Sequence, residues 1–360
     1  MQPRIKKLRA LLKKVDLPAL FVSCPTNVTY LTGFTGDSSL FIVTQTDAVL
    51  VSDARFTEQL QEECPDIDVV IRGAKGATID LAAKTVKKMK VDRVGVEAGQ
   101  MTLAMYEQLS ERLDQVEWIP IHGIVEKLRR IKDKEEVNAI RRAIRIAEKA
   151  IGAVVASLTL DSTEKQVSAD IEHQIRRFGG KGCSFEPIVG VGPRGALPHA
   201  PPTERRMGES DFVLIDWGAN ESLYISDLTR IFVTGRISPK LERVYGVVLK
   251  AQRQAIEQIR PGIRLDKVDA AARSVIEKAG FGKKFTHALG HGIGLQVHEA
   301  PRIGADQAQT LQAGMVVTIE PGIYLPGWGG VRIEDDILVT RDGHEVLSKV
   351  SKELADCIIA

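Results

Sequence analysis

Asp216, Asp227, Glu320 and Glu334 each sit inside a strand-like apolar run, FVLID, LYISDL, MVVTIE and VRIED, and His291 sits in the glycine-rich THALGHGIGLQVHE. Taking an ionised carboxylate out of water costs several kcal/mol even after relaxation, so buried acids neutralise, pair with cations or bind metal. Arg230 and Arg332 are the only basic residues within these strand patterns. The surplus negative charge is what one or two divalent ions would satisfy. Taken singly, each acid has a plainer reading as a turn-adjacent or ion-paired residue. Their joint occurrence with His291 points instead to a hydrolytic metal site.

Local geometry can bring the acids together. In FVLIDWGANESLYISDLTRIFV two strand patterns flank the polar Asn220, Glu221 and Ser222. A hairpin pivoting between Glu221 and Ser222 pairs Asn220 with Leu223 and sets Asp216 directly opposite Asp227, with Cβ atoms about 4.5 to 5.5 Å apart. A slip of one residue would carry one acid to the other face. In VVTIEPGIYLPGWGGVRIEDDILV the chain bends around PGWGG and brings Glu320 towards Glu334. Side chains alternate along a strand, so Arg332 shares a face with Glu334 and is placed to hold a carboxylate from behind. Gly290, Gly292 and Gly294 oppose a plain helix around His291 and let its imidazole approach a crowded centre. His287 and His298 flank it, and His199 lies in GALPHAPP. Thr229 reads equally as a donor beside Asp227 or a β-former, and Tyr324 equally as a site or core residue.

The elements that must hold these residues fall into two groups. Residues 1–122 read as an α/β unit: an amphipathic helix with Leu8, Leu11, Leu12 and Val15, then strands ALFVS, SLFIVT, AVLVSD, IDVVI and DRVGVE alternating with helical patterns. WIPIHGI ends an apolar run with Pro and Gly, which places a boundary near residue 123. Residues 123–360 show a weak internal duplication. The helical stretches EEVNAIRRAIRIAEKAIGAVVASL and TEKQVSADIEHQIRRFG, followed by strands, are echoed by KLERVYGVVLKAQRQAIEQI and LDKVDAAARSVIEKAG, again followed by strands. Two such halves predict one pseudo-symmetric domain with the acids where the halves meet.

Bulk properties exclude several classes. A net charge of +2 in 360 residues, with one short basic stretch from Lys127 to Lys134 broken by Ile131 and Asp133, argues against a nucleic-acid partner. Cys24, Cys64, Cys183 and Cys357 are scattered without C-x-x-C spacing, so neither a thiolate metal site nor a disulfide framework is indicated. The basic N-terminus lacks an apolar signal core, and no segment approaches about 18 unbroken apolar residues. These features predict a cytoplasmic chain with no membrane partner.

The motifs IDWGA with SDLTR, GHGIGLQVHE, TIEPGIY and VRIEDD, in that order, resemble the pita-bread metallopeptidases of the creatinase, prolidase and aminopeptidase P group. YLTGFTGDSSLFIVT and the downstream SDARF resemble that group's N-terminal domain, with SDARF departing from the more usual aspartate-glycine-arginine-tyrosine wording. The resemblance implies an α/β (α+β) fold, a creatinase-type domain over 1–122 and a pita-bread catalytic domain over 123–360. It implies metal ligation by Asp216, Asp227, His291, Glu320 and Glu334. It also implies catalytic roles for Glu320, His199, His298 and Arg332, and a substrate site with His199, His287, His298 and Tyr324. Creatinase and the non-catalytic relatives lack the full ligand set, which is intact here.

Oxygen-rich ligation with one imidazole favours Mn²⁺, with Co²⁺, Zn²⁺ or Fe²⁺ as alternatives. Two such ions would activate water against a peptide carbonyl, with Glu320 as proton shuttle. The enzyme that the resemblance implies is a homodimeric Xaa-Pro aminopeptidase that removes the residue before a proline at the second position of a short peptide. The alternatives are a strict Xaa-Pro dipeptidase and, from another class, a non-catalytic peptide- or protein-binding module.

Overall fold

The apolar runs of the first third become neighbouring strands. β1 (Ala19–Val22), β2 (Leu40–Thr44), β3 (Ala48–Asp53), β4 (Asp68–Arg72), β5 (Arg93–Glu97) and β6 (Glu117–Ile121) form one sheet in the order β4-β3-β2-β1-β5-β6. β1 runs antiparallel to β2 and parallel to β5, so the sheet is mixed. β1 and β2 bury every side chain. One face is covered by helix Thr78–Lys88, whose Ile79, Ala82, Ala83 and Val86 join the same core. Helix Gln2–Lys14 buries Ile5, Leu8 and Leu12 and keeps its lysines in water. The computed structural model describes residues 2–73 and 75–359. It divides into two compact units, Met1–Arg129 and Arg130–Ala360.

The second unit repeats a helix pair. Helices Lys134–Ser157 and Glu164–Arg177 precede β7 (Gly182–Cys183), β8 (Ile188–Val191), β9 (Phe212–Trp217), β10 (Ala219–Glu221), β11 (Tyr224–Ile225) and β12 (Leu228–Val233). Helices Pro239–Gln258 and Leu265–Lys278 precede β13 (Gly290–Gly292), β14 (Glu299–Ile303), β15 (Val316–Ile319), β16 (Gly322–Leu325), β17 (Gly329–Arg332), β18 (Asp335–Val339) and β19 (His344–Val346). The long helix of the first pair opens on a capping box, in which Asp133 accepts the Glu136 amide and Glu136 accepts the Asp133 amide. Thr163 and Gln166 do the same for the helix that follows.

The sheets are β12-β9-β8, β11-β10-β7, β14-β13-β15-β18-β19 and the ribbon β16-β17. Val213, Ile215 and Trp217 pack on the first helix pair, and the Trp217 indole donates to the Ala147 carbonyl at 3.0 Å. Full burial of each such side chain contributes about 1.5 to 3 kcal/mol, which anchors β9 and leaves Asp216 pointing away from those helices. Among the described residues no helix is long and apolar enough to cross a membrane.

The expected pairing of Asp216 with Asp227 does not form. Asp216 pairs with Thr229, and the hairpin closes with Glu221 opposite Tyr224. The turn is therefore Ser222–Leu223, both at positive φ (48° and 73°). Positive φ at both central residues suits the twist of a two-residue hairpin, and neither residue type advertises it. The pivot moves one residue on and the pairing shifts by two. An even shift keeps every side chain on its face, so Asp227 still lies beside Asp216, diagonally rather than directly opposite. Gly218 permits this approach, since a Cβ there would lie 1.9 Å from the Ser226 carbonyl oxygen.

Candidate metal centre

Alternation sorts core from site in the second half. Val317, Ile319, Ile323, Val331 and Ile333 join the core formed with helices Pro239–Gln258 and Leu265–Lys278. The intervening Thr318, Glu320, Tyr324, Arg332 and Glu334 face the other way. Gly322 pairs with Arg332 and Ile319 with Asp335, and the shared register sets Glu320 opposite Glu334 between the two ladders. His291 arrives on β13, pressed against β15 because a Cβ at Gly290 would fall 2.0 Å from the Thr318 carbonyl oxygen.

These side chains converge on one cavity of about 1020 Å³. Its lining includes Asp216, Asp227, His291, Glu320 and Glu334, together with His199, His287, His298, Tyr324 and Arg332, all singled out from the sequence. Asp227, His291 and Glu334 each offer a ligand atom within 4.8 Å of the others. His291 Nε2 lies 3.3 Å from Glu320 Oε1 and 3.8 Å from Asp227 Oδ2. Its Nδ1 is 3.1 Å from the Gly292 carbonyl, which can only accept, so the Nε2 lone pair is directed at the acids. Asp216 is ion-paired with Arg332, and its Oδ1 is buried with no hydrogen-bond partner among the described residues.

One guanidinium holds Asp216 directly and reaches Glu334 through Thr229. Arg332 Nη2 holds Asp216, Nη1 donates to the Tyr324 hydroxyl at 2.8 Å, and Nε donates to Thr229 Oγ1 at 3.0 Å. Thr229 donates onward to Glu334 Oε2 at 2.7 Å. Because His287 Nδ1 is committed to the Ala288 carbonyl at 2.7 Å, its Nε2 accepts from Tyr324 at 2.9 Å. Arg230 does not help: it turns to Asp335 at 2.7 Å and to the carbonyls of Val350 and Ser351. Burial first, then repulsion from neighbouring acids, pushes Asp227 and Glu334 well above the usual carboxylate range. Burial pushes Glu320 up to about 8 despite Arg332, and pushes His291 down to about 4. Such acids hold protons unless a cation replaces them. Hard oxygens, an open acceptor on Asp216 and one neutral imidazole fit divalent ions.

His298 stacks edge-on to His291 with ring centroids 4.5 Å apart. Its own pKa is lowered by burial and by the neighbouring His199, which lines the facing wall. One residue escaped the sequence analysis. The β13–β14 ladder sets Arg302 directly opposite His291, which puts a guanidinium on the cavity wall. That register passes through a bulge between His291 and Gly292, for which HGIGLQVHEAPRI carries no signal.

Two family models match the chain: the creatinase/prolidase N-terminal domain over residues 4–131 and metallopeptidase family M24 over residues 138–341. This chain belongs to metallopeptidase family M24. The M24 chain is 35% identical over 354 residues to the Xaa-Pro dipeptidase of Pyrococcus furiosus, covering 98% of this chain and all (100%) of that protein. A solved Xaa-Pro dipeptidase from Bacillus anthracis superposes with a TM-score of 0.95 at 36% identity, covering 99% of each chain. An X-Pro aminopeptidase from Thermotoga maritima superposes at 0.89 with 32% identity, covering 97% of this chain and 99% of that one. The fold is thus the expected one, a creatinase-type α/β domain followed by a pita-bread M24 catalytic domain.

Proposed function

We propose that this M24 chain is an Xaa-Pro dipeptidase that splits dipeptides with a C-terminal proline. The sequence analysis favoured an aminopeptidase acting on longer peptides. Two considerations support the dipeptidase instead. Full-length relatives at 35% and 36% identity carry the name Xaa-Pro dipeptidase. The structural observation is Arg302: of the Lys and Arg residues lining the cavity, Arg332 is committed to Asp216, Thr229 and Tyr324, whereas among the described residues Arg302 makes only an exposed pair with Asp306 at 3.1 Å. Exposed pairs of this kind are worth about 0 to 1 kcal/mol, so the guanidinium is available to a free substrate carboxylate.

In this reading Asp216, Asp227, His291, Glu320 and Glu334 hold two divalent ions, with Mn²⁺ the first choice for so oxygen-rich a donor set. When bound, the ions polarise the scissile carbonyl and supply a nucleophile at neutral pH. Glu320 takes up the proton released on attack and delivers it to the proline nitrogen as that bond breaks. His298 and His199 donate hydrogen bonds to the carbonyl oxygen and the substrate backbone, where charge develops. Arg332 pins Asp216, and the His287–Tyr324 pair fixes the adjoining wall. Ile188, Pro198, Pro202 and Val297 line the cavity and suit a proline ring that has no N–H to satisfy.

The test compares Mn²⁺-reconstituted protein on Ala-Pro, Ala-Pro-amide and Ala-Pro-Ala. Cleavage of Ala-Pro, with at least about tenfold weaker kcat/KM on the other two, is expected for a charge-assisted carboxylate contact worth about 1.5 kcal/mol or more. Equal cleavage of Ala-Pro-Ala would establish the second reading, an Xaa-Pro aminopeptidase, which the Thermotoga maritima structure favours. No cleavage of any of them would leave a binding module.

A further inference from the structure

One buried carboxylate of the catalytic unit has no contact with the acid cluster. Glu164, the first residue of helix Glu164–Arg177, has 0% of its surface exposed. Its Oε1 accepts the Val191 amide at 2.9 Å, and Arg194 Nε donates to both oxygens, at 3.1 and 2.8 Å. Its Oε2 also accepts the Thr203 amide at 2.9 Å and the Thr203 hydroxyl at 2.6 Å. Arg194 then spans the base of the loop, with Nη2 donating to the Pro201 carbonyl at 2.6 Å. The backbone repeats the attachment: Lys165 N donates to Thr203 O at 3.1 Å, and Glu164 N to Arg205 O at 2.9 Å.

Residues 194–203 therefore leave and rejoin the unit at one carboxylate. His199 rides near the tip, exposed and lining the cavity, and its ring has no hydrogen-bond partner among the described residues.

We propose that Glu164 is a positioning residue, whose carboxylate acts through Arg194 and Thr203 to fix where His199 stands in the cavity. This rests on the reading of the cavity as a peptidase site in which His199 meets the substrate. A glutamine cannot replace it. The converging donors need acceptors on both oxygens, and an amide would turn an NH₂ group towards them. A fully buried charge is tolerable only where every neighbour is a donor, as here, and that requirement ties both feet of the loop to one point.

The experiment is a double-mutant cycle on the Mn²⁺-loaded full chain with Ala-Pro, using E164Q, H199A and E164Q/H199A. E164Q is expected to lower kcat/KM by about tenfold to a hundredfold, the range for displacement of a positioned group, with bound metal unchanged. Added to H199A it should cost no more than about twofold, because the histidine it positions is already gone. In the metal-free protein, E164Q should speed hydrogen exchange at the Val191 and Thr203 amides. Additive losses in the cycle, or unchanged exchange at those amides, would overturn the proposal. If E164Q does not fold, T203V removes one donor and must give the same non-additivity with a smaller loss. Ala-Pro hydrolysis by the unaltered chain together with a fully active H199A would refute this proposal alone. No hydrolysis by the unaltered chain would refute the peptidase reading and this proposal together.

Discussion

Stripping metal from this protein is expected to make its stability fall as the pH rises, the reverse of ordinary carboxylate behaviour. Glu320 is pushed up to about 8 in the folded, metal-free cluster from an ordinary 4.5. A raised acid is protonated in the folded chain while already ionised in the unfolded one. Its stabilising share is complete below the unfolded value and is lost progressively as pH climbs through the folded value. His291 and His287, each held down at about 4 from 6.5, act oppositely below pH 6.5, where only the unfolded chain takes the proton. The acids alone therefore show between pH 6.5 and 8. Over that window Glu320 by itself removes about 2 kcal/mol, at about 1.36 kcal/mol per pH unit. Asp227, Glu334 and Asp336, all raised chiefly by burial, add in the same direction. For a unit of this size about 2 kcal/mol corresponds to a Tm lower by about 4 to 8 °C. Thermal melts in chelator across the window measure it. Saturating Mn²⁺ should abolish the slope, and E320Q should reduce it in the chelated protein. A chelated Tm that is flat or rises from pH 6.5 to 8, or a slope that E320Q leaves intact, would refute the electrostatic account of the cluster.

Other substitutions separate the roles of individual side chains. D227N should lose one metal equivalent by elemental analysis and nearly all turnover, while circular dichroism stays native. H298A should keep its metal and lose kcat by about a hundredfold or more, the scale of removing a donor to a developing oxyanion; a loss confined to metal content would make His298 a ligand instead. T229V keeps the side-chain shape but strips Glu334 Oε2 and Arg332 Nε of a partner. Unsatisfied buried groups cost about 1 to 3 kcal/mol each, so urea unfolding should show a destabilisation of at least about 1 kcal/mol, and weaker Mn²⁺ binding in a titration.

Much of the site could be read from local pattern. Alternation in MVVTIE and VRIED separates Val317 and Ile319 from Glu320, and Ile333 from Glu334, whatever the partner strand. The PGWGG turn is nearly symmetric between Glu320 and Glu334, so the two acids meet as expected. The Asp216–Asp227 hairpin was harder, because its register hangs on positive φ at Ser222 and Leu223, residues with no glycine-like preference for it. The even shift rescued the site by preserving the face.

The candidate ligands and the faces they share were legible in chain order, because residue type and a period of two are properties of neighbouring positions. Which charges answer which was settled by the folded arrangement. Arg332 goes to the acid cluster while Arg230 leaves for Asp335, although both stand in adjacent acid-bearing strands. Arg302 comes opposite His291 through a bulge, and Glu164 gathers donors from 27 to 39 residues away. Coulomb pairing and hydrogen bonding depend on separation in space, and that separation exists only once the two halves have closed around the cavity.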